Sequence, residues 1–156
     1  GIKWPNDIVV DGKKVCGILT EMSMEQAYIH HIVIGVGINV RRQEFSEEIR
    51  ERAAAIDEQC GFCISRSQLI ADIMEAFEED YEIFLQTHDL KGLRDSYAKL
   101  LLNQDREVCV LDPKGEYRGI ARGINDQGEL IVERQDGTVE EVYAGEVSVR
   151  GIYGYV

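Results

Sequence analysis

Ile8-Val9-Val10-Asp11-Gly12-Lys13-Lys14-Val15-Cys16-Gly17-Ile18-Leu19 sets an Asp-Gly pair between two apolar, β-branched runs. Asp-Gly tolerates the positive φ that both central residues of a type I′ turn require, and that turn matches the twist of paired strands. A β-hairpin is predicted here. Downstream, Tyr28 to Val36 is rich in β-branched and aromatic residues, with Gly35 and Gly37 at its close. That composition predicts a third, buried strand whose glycine end lets something approach its backbone closely. Successive strands imply a sheet.

From Ser46 the period changes. Ser46 followed by Glu47 and Glu48 has the form of a helix start, with carboxylates at the positive end of the dipole. Ser65 and Gln68 have capping-box spacing, and Leu69, Ile70, Ile73, Met74, Phe77, Tyr81 and Phe84 recur on one face. This predicts a longer helix that packs on the sheet. A shorter helix is expected over 90–101, ending at Asn103. Beyond it come Val108 to Leu111, Tyr117 to Ile124, Leu130 to Glu133, Val139 to Tyr143 and Val147 to Val149, with Lys114-Gly115, Gln127-Gly128 and Asp136-Gly137 as turns. That is the rhythm of a small antiparallel barrel. The predicted class is α+β, with a mixed or antiparallel sheet and helices over 1–102 and the barrel over 103–156.

The 156 residues are 44% hydrophobic and 29% charged with 2 Pro, the composition of a globular chain. A formal net charge of −12 repels phosphate backbones, so no nucleic acid is expected to bind through this segment. The longest apolar stretch, Ile29 to Val40, is interrupted by His, Gly and Asn and falls short of the roughly 18 residues that span a bilayer, so no membrane partner is expected. Cys16, Cys60, Cys63 and Cys109 are too few and too unevenly spaced for a secreted disulfide framework, which predicts a reducing cytoplasm. The start at Gly1 lacks both Met and a signal-peptide pattern and predicts that the chain begins inside a longer polypeptide. Cys60-Gly61-Phe62-Cys63 has the spacing of a redox dithiol or half a zinc site, but no second pair supports zinc. Its thiols are read as buried or incidental, and His30 and His31 as ordinary strand residues.

Three blocks carry the chemistry: Lys3-Trp4-Pro5-Asn6-Asp7-Ile8, then Gly12-Lys13-Lys14-Val15-Cys16-Gly17-Ile18-Leu19-Thr20-Glu21, then Gly35-Val36-Gly37-Ile38-Asn39-Val40. Singly each has an ordinary reading. Asn-Asp before a strand is usually a turn, a Lys pair at a hairpin is usually solvated, and Gly-x-Gly alone is weak. In this order and at these separations they resemble the signatures of biotin protein ligases. A weaker likeness covers 107–150, where Gly119 to Gly128 and Gly145-Glu146-Val147-Ser148 are similar to that family's terminal barrel.

The resemblance implies part of a catalytic domain related to class II aminoacyl-tRNA synthetases, followed by an SH3-like barrel. It implies a ligase that makes biotinoyl-5′-AMP from biotin and ATP with Mg²⁺ and biotinylates a lysine of a carboxylase's biotin carboxyl carrier domain. It leaves a homodimer open. Joining a carboxylate to ATP requires a cation beside the α-phosphate. The family's lysine in the matching segment contacts biotin and the adenylate, which selects Lys14 over Lys13 as the catalytic and biotin-binding residue. Strand alternation puts the two on opposite faces. Gly17 leaves room for biotin. Asn6 and Asp7 suit nucleotide binding, Mg²⁺ held through water, or orientation of the lysine; the resemblance implies the first and third. Asn39 corresponds to a residue that contacts adenine, and Trp4 either walls the nucleotide site or fills core. No metal site made by protein ligands is expected. The family's Gly- and Arg-rich loop and its helix-turn-helix do not occur in these residues, and Arg41-Arg42 stand where an adenylate-ordering loop would begin. Two other readings are an inactive docking scaffold and a related lipoate or octanoyl ligase.

Overall fold

The computed structural model describes residues 1–25, 28–113, 115–144 and 148–151. Its elements in chain order are β1 (Ile2–Lys3), β2 (Asp7–Val10), β3 (Lys13–Glu25), β4 (Tyr28–Ile38), α1 (Ile56–Cys60), α2 (Arg66–Thr87), α3 (Arg94–Leu100), β5 (Glu107–Leu111), β6 (Tyr117–Ile124), β7 (Leu130–Arg134), β8 (Val139–Val142) and β9 (Ser148–Gly151). Lys114, from one predicted turn, and 145–147, which carry part of the terminal likeness and the start of the last predicted strand, lie outside the described residues. By contacts the chain divides into Asn6–Ile64 and a second unit joining Gly1–Pro5 to Ser65–Val156. The expected boundary near residue 103 does not coincide with this division, because α2 and α3 group with the barrel strands.

In the Asn6–Ile64 unit, β2 pairs antiparallel with β3, and β3 with β4. The hairpin turn is as the sequence requires: Asp11 has φ 47 and Gly12 φ 76. One irregularity matters for the site. Ile8 lies opposite Cys16 while Val9 lies opposite Lys14, so Val15 is an extra residue in β3 and forms a bulge. From Cys16↔Ile38 to Glu25↔Tyr28, β3 and β4 continue as a long ribbon. β4 is not the buried strand expected. Tyr28 to Gly37 are all exposed, with Ile32 at 53%. Among the described residues no third strand joins the distal part of this ribbon, and a two-stranded ribbon covers neither of its own faces.

The helix expected from Ser46 does not form. Residues 47–52 are turns, held by bonds such as Arg50 N to Ser46 O at 3.0 Å. Beyond them the backbone is committed elsewhere: Lys14 N donates to Arg52 O (2.7 Å), and Ala54 N donates to Lys14 O (3.0 Å). The i→i−4 closures that do form, Arg50 N to Ser46 O and Ala53 N to Ile49 O, are not propagated, because the next carbonyl and amide in line are given to Lys14.

In the other unit, Ser65 caps α2 through its hydroxyl, which accepts from Gln68 N at 3.4 Å. The Gln68 side chain donates to Asp72 (2.7 Å) instead of completing a reciprocal box. α2 has no buried residue, so its apolar face is not packed as expected; Phe77, Tyr81 and Phe84 stack on one another in solvent. β5 to β9 form an antiparallel sheet in the order β8-β7-β6-β5-β9. Alternation along β5 and β7 sends Val108, Val110, Leu130 and Val132 into one core, and in β6 a register shift between Ala121 and Gly123 brings Ile124 to the same side as Ala121. Trp4, Leu101, Val142 and Val149 complete that core, with Leu90, Tyr97 and Tyr117 packed against it.

Burial pushes the Tyr97 phenol up to about 12 from an ordinary 10. The unfolded chain therefore loses this proton first as pH rises, so stability is full below about pH 10 and falls through about pH 12. The loss is expected to be roughly 2–3 kcal/mol. Tyr97→Phe is expected to flatten that part of the alkaline profile, read by urea unfolding across the window.

Candidate active site

Lys14 is the second residue of β3, two residues past Gly12 at the hairpin tip. In a regular strand Lys14 and Gly17 would face opposite ways, because side chains alternate. The extra residue at Val15 shifts the alternation by one and brings Lys14 onto Gly17's face. A Cβ on Gly17 would lie 2.9 Å from Lys14 Nζ, 3.0 Å from its Cε and 3.6 Å from Asp7 Oδ1. Glycine is thus the residue that lets the lysine lie flat along the strand. Asp7 is the cross-strand partner of Gly17, and its Oδ1 meets Lys14 Nζ at 2.5 Å. The side chain of Asp7 is 10% exposed and that of Lys14 37%, so the carboxylate is held within the unit while the ammonium faces partly outward.

Asn6 fixes the approach to β2. Its Nδ2 donates to Ile18 O (2.8 Å), and its carbonyl accepts from Ile18 N (2.9 Å). Asn39 directly follows β4, where its N donates to Val15 O (2.8 Å), its carbonyl accepts from Ile56 N (2.8 Å) and its Oδ1 accepts from Gln43 (3.2 Å). Four of the residues singled out by sequence, Asn6, Asp7, Lys14 and Gly17, form one connected set, and the backbone of Asn39 joins it next to Lys14.

Trp4 is a different case. It is 2% exposed, its backbone N donates to Asn103 Oδ1 (3.1 Å) and its indole Nε1 to Gly128 O (3.0 Å). Of the two readings offered for it, core filling is the one that describes it here. A buried indole with its one donor satisfied has no face to offer a nucleotide.

Sequence reasoning missed the segment 52–56. It runs beside Lys14 as a parallel bridge through Ala53, and Ala54 and Ala55 are 2% and 0% exposed. The signal was present in the run Ala53-Ala54-Ala55, since small side chains permit close backbone approach. Cys16 is also close by, but burial pushes its thiol up against the opposing effect of Lys14. That makes it a packing residue and not a nucleophile.

Among the described residues no three His, Cys, Asp or Glu side chains gather to hold a metal ion. The donor set fits Mg²⁺ only in the form that ion commonly takes, one or two carboxylates with the remaining positions filled by water and phosphate oxygens. Asp7, with Asn6 beside it, is the group that would serve.

Residues 1–39 match the biotin/lipoate A/B protein ligase family and residues 105–150 the biotin protein ligase C terminal domain. The chain belongs to the biotin protein ligases, in which it corresponds to the carboxy-terminal portion. It is 37% identical over 153 residues to the bifunctional ligase/repressor BirA of Bacillus spizizenii, an alignment that takes in 95% of this chain and 46% of that protein. It is 25% identical over 151 residues to the biotin–[acetyl-CoA-carboxylase] ligase of Paracoccus denitrificans, covering 92% of this chain and 62% of that one. In structure it resembles the biotin protein ligase of Aquifex aeolicus in complex with biotin and ATP, with TM-score 0.79, 28% identity, 96% of this chain and 61% of the other. The chain spans about half the length of the BirA relatives it matches.

Proposed function

We propose that the protein activates biotin with ATP to biotinoyl-5′-AMP and passes the biotinoyl group to a lysine of a carboxylase carrier domain. The observation that carries this reading is the Lys14–Asp7 pair laid over Gly17. A biotin carboxylate oxygen attacks the α-phosphorus, the bond to the β-phosphate breaks and pyrophosphate leaves. The acceptor amine then attacks the biotinoyl carbonyl carbon, the bond to AMP breaks and the amine loses a proton. No protein nucleophile is consumed.

Lys14 acts in the first step. Its ammonium draws the carboxylate and the α-phosphate together and offsets negative charge as pyrophosphate departs. Asp7 holds Nζ in place before substrate arrives. Asn6 fixes the strand that carries Asp7, and Asn39 offers its side-chain amide to the adenine. Mg²⁺ would arrive with ATP and neutralise phosphate charge, with Asp7 and Asn6 as its protein contacts. We assign this chemistry to residues 1–102 and docking of the acceptor to the barrel over 103–156.

Titration calorimetry of the protein with biotin and with lipoate tests the substrate. Saturable binding of biotin and none of lipoate is expected. The reverse preference would replace the substrate by lipoate, and no binding of either would favour a docking scaffold.

A further inference from the structure

Cys60 and Cys63 take no part in the reaction above, and both are exposed, so of the two readings offered for them burial does not apply. Cys60 is the last residue of α1, and Gly61 turns the chain out of the helix with φ 74 while its N–H closes on Asp57 O (3.0 Å). Cys63 follows that reversal. Its sulfur accepts a hydrogen bond from Arg41 Nη1, and the same nitrogen lies 3.9 Å from Asp57 Oδ2. The other two cysteines differ: Cys16 is buried and Cys109 half-buried. Exposure and an adjacent cation are the surroundings that set reactive thiols apart from inert ones, and a second thiol three residues away supplies a resolving partner.

We propose that Cys60 and Cys63 are a redox-active dithiol that a low-molecular-weight disulfide such as oxidised glutathione converts to an intramolecular disulfide. Cys63 attacks as the thiolate, the glutathione S–S bond breaks, and one glutathione leaves and takes up a proton. The Cys60 sulfur then displaces the second glutathione from Cys63, again as thiolate against a leaving thiol. In sum, two protein thiols are oxidised to one disulfide and one glutathione disulfide is reduced to two thiols. Arg41 is the positioning residue, because its guanidinium sits against the attacking sulfur. Arg41 lies two residues beyond Asn39, so the couple is wired to the segment that leaves the proposed adenine contact.

Exposure of the folded protein to oxidised glutathione, followed by alkylation and peptide mass mapping, tests this independently of ligase activity. A Cys60–Cys63 disulfide is expected, with Cys16 unmodified. Cys60→Ser is expected to trap glutathione on Cys63. Arg41→Ala is expected to slow the first step by about tenfold, with Arg41→Lys restoring part of the rate. Glutathione added separately to each thiol with no internal disulfide, Cys109 reacting as fast as Cys63, or Arg41→Ala reacting at the wild-type rate would each overturn the proposal.

Discussion

Lys14→Ala is expected to lower the rate of adenylate formation by about 10²–10³-fold, the usual cost of removing one preorganised charge from a developing oxyanion. The loss should fall on kcat more than on KM, because the ammonium does most where charge accumulates at the α-phosphate. The fold should survive. The lysine side chain is 37% exposed and lies outside the buried core, to which Val15 and Cys16 beside it belong. Lys14→Arg is expected to recover little, since a planar guanidinium delivers its charge in a different geometry from a compact ammonium. Circular dichroism of each variant, set beside pyrophosphate release with saturating biotin and ATP, separates lost chemistry from lost structure.

Gly17→Ala is expected to reproduce much of that loss without touching a charge. The new methyl would stand 2.9 Å from Nζ, closer than a methyl carbon sits in practice, and a tight 3.0 Å from Cε, so the lysine end has to shift from its place against Asp7. Both of those atoms belong to a flexible side chain, which gives way more easily than backbone. The expected cost is therefore in activity, about 10²-fold for a displacement of about 1 Å at a reacting group, with little change in stability. If Gly17 acts only through Lys14, the double variant Lys14→Ala/Gly17→Ala should be no slower than Lys14→Ala alone. Additive losses would show that the glycine serves the ligand directly.

Much of this was legible in the sequence, because its signals were local. Asp11-Gly12 specified the hairpin through backbone angles that few residue pairs tolerate. Ser65 marked the start of α2, and Tyr117–Ile124 emerged as β6 with the limits its apolar alternation gave. What misled depended on distant partners. Ser46 looked like a cap, but Arg52 and Ala54 give their backbone groups to Lys14, and no local pattern announces a bond spanning about forty residues. The composition of β4 says that its residues suit a pleated surface, not what covers them, so burial was read into a strand that is exposed. At the site, Lys14 and Asp7 were found from residue type and family likeness. Their union over Gly17 depends on the bulge at Val15, and no residue in Lys14-Val15-Cys16 advertises a bulge. Trp4 shows the limit of motif reading: its place in a conspicuous block left it open between a nucleotide wall and core filling, and two long-range hydrogen bonds that no local pattern announces tie it into a core.

Exchange of labelled pyrophosphate into ATP is the most direct test, because it reports formation of the acyl adenylate alone and needs no acceptor protein. Exchange that appears when biotin is added, stays absent without it and collapses in Lys14→Ala is the expected result. Exchange at an undiminished rate in Lys14→Ala would contradict it.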